Sequence, residues 1–214
     1  FTVALGGYAG FSVTTGVENS IIGALAGDAL TIGYQNVVNG FQALSAETTG
    51  SRNIAIGVNA LNASNMGGST SVTSYNVAVG ALAGASVTTG PENTLVGGLS
   101  GDALTTGHSN VALGCESLSA EDTGRKSVAI GHAALRLQNN DTDNFNAAVG
   151  FEAGKNVSTG VRNTILGANA GDSMTSADDN TALGYLALRT QTSGSRNVAV
   201  GRSALQLANI TTAT

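Results

Sequence analysis

The chain has 214 residues, of which 42% are hydrophobic, 4% aromatic and 11% charged, with a formal net charge of −5. Thirty residues are glycine, there is no tryptophan, and the single Cys115 forbids an internal disulfide. This balance excludes a basic nucleic-acid surface. It also excludes collagen, which needs glycine at every third position, a disordered chain, and a membrane-spanning helix, since no apolar run reaches 18 residues.

From the first residues onward one short phrase returns: a polar residue, three mostly apolar ones, a glycine, two variable residues and an alanine or serine. Its glycines are Gly6, Gly23, Gly40, Gly57, Gly80, Gly97, Gly114, Gly131, Gly150, Gly167, Gly184 and Gly201. Nine of the eleven gaps between them are 17 residues, and the others are 23 and 19. A fixed period this short predicts a solenoid, in which one coil cannot bury its apolar face alone. The expected fold is all-β, a parallel β-solenoid or β-roll of about twelve 17-residue coils, rising about 4.8 Å each.

A longer rhythm runs through the repeat. Four residues past each glycine stand Gly10, Gly27, Leu44 and Leu61, then Gly84, Gly101, Leu118 and Leu135, then Gly154, Gly171, Leu188 and Leu205. The chain therefore reads as a single repeat domain over 1–214, made of four-coil super-repeats 1–74, 75–144 and 145–214. Both length changes fall after a fourth coil, at Asn62–Tyr75 and Gln138–Phe145, and these loops are expected to bulge and to be the place for ligand contact. Neither end departs from the repeat. With no initiator methionine or signal peptide, the segment is expected to be part of something longer, open to further stacking at both ends.

Within a coil such as Asn53-Ile54-Ala55-Ile56-Gly57, strand alternation sends Ile54 and Ile56 to one face and Ala55 to the other. A strand apolar on both faces is buried on both faces. One face is covered by the rest of the coil. The other needs a close partner, so Ala55, Ala78, Ala112, Ala129, Ala182 and Ala199 are expected at a chain–chain contact. After the glycine a second short strand is expected. The glycines three residues before the phrase (Gly16, Gly33, Gly50, Gly90, Gly107, Gly124, Gly160, Gly194) are expected at positive φ. The phrase opens with asparagine in ten coils: Asn19, Asn36, Asn53, Asn76, Asn93, Asn110, Asn146, Asn163, Asn180 and Asn197. Stacked coil on coil, these side chains are expected to form an asparagine ladder rather than a ligand site.

Chemistry is sparse. His108 and His132 lie in different coils with no acid at a matching position. Cys115 stands where other copies have Phe41 and Tyr185, which reads as packing. Asp28, Asp102 and Asp172 recur one super-repeat apart, about 19 Å from one another, too far to share an ion within one chain. The expectation is no enzyme, no cofactor and no metal. The turn threonines do not form the regular rows that ice binding requires, and adjacent coils do not align the acids of a polysaccharide-active β-helix.

The phrase, best seen in Ser127-Val128-Ala129-Ile130-Gly131 and Asn53-Ile54-Ala55-Ile56-Gly57, resembles the repeat of trimeric autotransporter adhesin heads and of some bacteriophage tail fibres. The resemblance covers all twelve coils, although the usual adhesin period is 14. It implies a left-handed β-roll with three chains about an axis, and attachment to a host or surface. The expected function is thus a structural or adhesive fibre segment, shaft or head, extracellular on a virion or cell surface. Its partners would be itself, as a homotrimer or stacked end to end, and a cell-surface or glycan receptor, with neither nucleic acid nor membrane insertion. The alternative is an end-to-end self-assembling extracellular filament subunit.

Overall fold

The computed structural model describes residues 1–207, and among them there is no helix. Twelve three-residue strands, from Val3–Leu5 to Val198–Val200, form one parallel sheet in chain order. Each strand pairs with its counterpart one coil on, as Val111-Ala112-Leu113 does with Val128-Ala129-Ile130. The chain is a β-solenoid of about twelve turns. The register survives both insertions: Ile54 still pairs with Val77, and Val128 with Ala147.

The strand faces are the reverse of the expectation. Ala55, Ala78, Ala112, Ala129 and Ala182 are fully buried in the single chain and Ala199 is 2% exposed, so none lies at a chain–chain contact. They point into the coil's own interior, and the larger residues on either side point out. The cause is width. A coil with one three-residue strand and tight turns is narrow inside, so its strand centre is alanine in most coils, while the buried Ile21, Leu95 and Ile165 fit there against Gly27, Gly101 and Gly171. The alanines meet a second and third inward position, occupied by Gly84 and Val87 in one coil and by Leu118 and Glu121 in another.

These inward positions compensate one another, which explains the Gly, Gly, Leu, Leu rhythm. Where the position four past the phrase glycine is Gly, the position three further on is Val13, Leu30, Val87, Leu104, Val157 or Met174. In five of the six coils where it is Leu, that later position is polar: Glu47, Ser64, Glu121, Gln138 or Gln191. The space is taken. A Cβ on Gly101 would lie 2.8 Å from both Leu104 and Leu95. Close packing tolerates no such overlap.

The phrase glycine itself is required twice over. Gly97 has φ of +133°, and a Cβ there would sit 2.5 Å from the carbonyl oxygen of Gly114 in the next coil. No second strand follows it. The chain instead turns through left-handed residues at alternate positions, such as Asn59 (φ 56°) and Leu61 (φ 49°), and its N–H groups bond the next coil (Leu61 N–H to Ala83 O, 3.0 Å). The glycines three residues before the phrase are not at positive φ. They are glycine for space: a Cβ on Gly107 would lie 2.6 Å from Gly124 O of the coil above.

Those same carbonyls anchor the asparagines. The Asn93 Nδ2 donates to Gly107 O (2.9 Å), and its Oδ1 accepts from the Asn110 N–H (3.1 Å). Most of these side chains bond two backbone groups of the next coil in this way, whereas Asn53 uses only its Oδ1 and leaves its Nδ2 unpartnered. The column runs Asn19, Asn36, Asn53, Asn76, Asn93, Asn110 and, in the C-terminal part, Asn146, Asn163, Asn180, Asn197, all linked by this Oδ1-to-N–H bond. Between them stands Ser127, too short to reach. The buried Gln138 fills in, its Nε2 donating to Ser127 Oγ (2.7 Å) and its Oε1 accepting from Asn146 Nδ2 (2.8 Å).

Two adjacent glycines separate these causes. Gly97→Ala is expected to cost about 3–5 kcal/mol from positive-φ strain plus the carbonyl clash. Gly98→Ala, whose Cβ would meet only Ala81 O at 3.8 Å, is expected to stay within about 0.5 kcal/mol of the parent. Urea unfolding of both variants measures the difference.

Likewise Asn163→Ala removes the acceptor of the Asn180 N–H and the donor to Ala177 O. Leaving two buried backbone groups unpaired is expected to destabilise by about 2–5 kcal/mol. Loss of cooperative unfolding in the same titration would mark the ladder as the stack's weakest joint.

Candidate functional site

Among the described residues there is no pocket and no group of three or more His, Cys, Asp or Glu side chains placed to hold a metal ion. What the fold offers is surface. The two outward columns of the sheet, one on each side of the buried strand centre, are mostly aliphatic, as at Val3 and Leu5, Ile54 and Ile56, Val77 and Val79, Val111 and Leu113, Val128 and Ile130, and Val198 and Val200, with Ser20, Asn39, Thr94, Thr164 and Thr181 as polar positions. At the two ends of the stack they are more than 60% exposed, as at Val3, Leu5, Val198 and Val200. In the middle they are half-buried by the coils above and below.

Columns rich in aromatics and charge flank this strip. On the side after the phrase glycine stand Phe41, Phe151 and Tyr185, each about half exposed. His132 stacks on Phe151 with ring centroids 5.3 Å apart. On the other side Arg52 lies over the rings of Tyr34 and Tyr75, and Lys126 over Phe145. Twelve strands span about 53 Å, and six residues across span about 20 Å. With its flanking columns the face is therefore on the order of 1,000 Å², and the three-residue aliphatic strip within it about half of that.

The insertions are tied down more firmly than loops that merely bulge. Val72–Thr73 returns to pair with Gly50–Ser51, Ser51 Oγ bonds Ser71 Oγ, and Arg125 bridges Asp143. A fully buried glutamate sits at the base of each. Glu47 Oε1 accepts from the N–H groups of Thr48, Thr49 and Gly50 (2.9, 3.1 and 2.7 Å), and Oε2 from Ser64 Oγ (2.8 Å). Glu121 accepts from the Gly124 N–H, Gln138 Nε2 and Asn144 Nδ2. Sequence reasoning missed both glutamates. The available signal was their recurrence 74 residues apart, three residues after Leu44 and Leu118, in a position that the Gly-bearing coils fill with Val, Leu or Met. Only Gly68, Ser69 and Thr70 form an exposed run at the tip of the first insertion.

The remaining chemistry stays dispersed. Cys115 is exposed, in the same column as Phe41, and His108 contacts only Ser109 Oγ. Lys126 and Arg125 hold Asp143 below the ordinary carboxylate range, and Arg162 does the same to Asp179. Burial pushes Asp102 and Asp172 up. Asp28 and Asp102 each leave one buried oxygen without a hydrogen-bond partner.

A carboxyl whose folded pKa lies above its unfolded value weakens the fold as pH rises through that interval. Asp102→Asn is therefore expected to stabilise the chain at pH 7. The gain should vanish below the unfolded pKa, about 3.8. Urea titrations at pH 7 and pH 3 test both halves, and equal effects at the two pH values would show that charge is not the cause.

No protein-family model matches the chain, and neither the curated proteins nor the solved structures contain a match.

Proposed function

We propose that this chain is a segment of a structural or adhesive fibre, a stiff rod that joins copies of itself, three to a bundle, along its aliphatic face. The observation that carries the reading is the outward sheet face, mostly aliphatic along twelve strands, with Ser20, Asn39, Thr94, Thr164 and Thr181 as its polar positions, and rimmed by aromatic and cationic side chains. Association interfaces have this anatomy: an apolar centre, with Tyr, Phe and Arg around it. Together with its flanking columns it is on the order of 1,000 Å² per chain, comparable with the about 800 Å² per partner of a standard stable interface. The absence of any cleft among the described residues gives a small substrate nowhere to lie. The likeness of the phrase to adhesin-head and tail-fibre repeats supports an extracellular setting, on a virion or cell surface, with the stack supplying length and the rims and loop tips supplying contact.

The test is sedimentation equilibrium of the purified chain. A trimer is expected, and a stable monomer at micromolar concentration would overturn the reading. Val128→Glu, on the outward face, should dissociate the assembly while leaving the strand signature of its circular dichroism intact. Ala129→Glu, one residue on, should unfold the chain itself, because it places a charge inside the coil.

A further inference from the structure

Eleven of the twelve residues just before the phrase glycine are Val, Ile or Leu, and the twelfth is Asn39. It ends the strand Val37–Asn39, in which Val38 is buried and the two flanking residues are exposed. Its neighbours in the sheet are Ile22 on one side and Ile56 on the other. One amide thus interrupts a column of aliphatic side chains. It is not part of the buried asparagine ladder, which runs through Asn36 and Asn53, and among the described residues its side chain has no hydrogen bond within the chain. Nothing in the coil asks for it: Val79, Val96, Val149 and Val200 hold the same place on the same backbone.

We propose that copies of this chain pack parallel and in register through the aliphatic face, and that Asn39 sets that register by pairing with Asn39 of its neighbours. This rests on the association proposed above and names its geometry. The rest of the column cannot choose a register. Val, Ile and Leu recur at every coil, about 4.8 Å apart, so a slip of one coil gives up only the contacts of the terminal coil. Asn39 distinguishes these states. A slip sets its amide against Ile22 or Ile56 of the neighbour, where neither its donor nor its acceptor is satisfied. In register, each amide offers both a donor and an acceptor to the others. A lone polar residue in an apolar seam specifies register in this way, and lowers stability in doing so. The other polar outward residues, Ser20, Thr94, Thr164 and Thr181, lie in the neighbouring column and could serve Asn39 only in a shifted or antiparallel arrangement.

The experiment uses the full chain with Cys115→Ser and a nitroxide at Thr106→Cys, an exposed turn position, and compares it with the same chain carrying Asn39→Val. Electron–electron distance measurements on the parent should give one narrow separation between like positions. The Asn39→Val chain should still assemble. Its distances should spread into several populations displaced along the rod, while its apparent melting temperature rises by about 2–4 °C. An assembled parent whose single distance is unchanged by Asn39→Val would overturn the role of Asn39 and leave the association standing. Several distances in the parent itself would overturn the in-register arrangement. A parent that sediments as a monomer would remove the association, and this inference with it.

Discussion

Everything in this chain depends on how closely one coil's backbone sits on the next. At the phrase glycine the position a Cβ would occupy lies on the carbonyl of the glycine above, and the same holds three residues before the phrase. Glycine at these points thus lets the coils approach to sheet distance, and each phrase glycine from Gly23 onward donates its N–H to the last strand residue of the coil before, as Gly97 does to Val79 O (2.8 Å). Most of the asparagine amides then use that approach, bonding an N–H and a C=O of the coil above. Sterics and hydrogen bonding therefore require different residues at neighbouring positions, and together they fix the phrase. A residue with a Cβ at the glycine would hold the coils apart and lengthen the asparagine bonds at once.

That dependence makes the stack cooperative in one dimension. Each coil carries several non-glycine residues in the left-handed region, among them leucines such as Leu44, Leu118 and Leu188. Such residues each cost roughly 1–2 kcal/mol. No coil offsets that alone, because most of its backbone bonds run to its neighbours rather than within itself. Nearest-neighbour contacts stabilise the solenoid. The buried glutamates solve the same problem where the coil lengthens. Glu47 and Glu121 gather backbone N–H groups that a 17-residue coil would have bonded to the coil above, so the insertions leave and rejoin the stack without breaking register.

The period, the parallel architecture and the three super-repeats were legible in the sequence, because glycine spacing reports them directly. The facing of the strand was not. Alternation shows that Ala55 and Ile56 lie on opposite faces, but it does not say which face is inside. Large-in, small-out is a habit learned from thick cores, and a coil this thin inverts it. The turn glycines misled for a related reason: glycine reports either an unusual φ or missing space, and only the position of the next coil's carbonyl tells them apart. Gln138 was legible only in retrospect. Its bond to Ser127 makes sense once the ladder's geometry shows that serine cannot span the gap.

The inversion bears on what the surface is for. A thin interior explains why alanine is the commonest residue at the strand centre, but not why the outward ones are apolar. Strand propensity accounts for part of it, since β-branched residues favour strands whether or not they are apolar. Threonine satisfies that preference as well as valine, and in the outward column just after the asparagine it is used at Thr94, Thr164 and Thr181. In the column just before the glycine it never appears. There eleven residues are Val, Ile or Leu, on a chain whose turns are rich in serine and threonine and whose flanking columns carry Arg, Lys and Glu. Propensity alone would have mixed threonine into both columns. The one that excludes it answers to a second constraint: the coils above and below already half-bury it in the middle of the stack, and the association proposed above would take the rest of it from water.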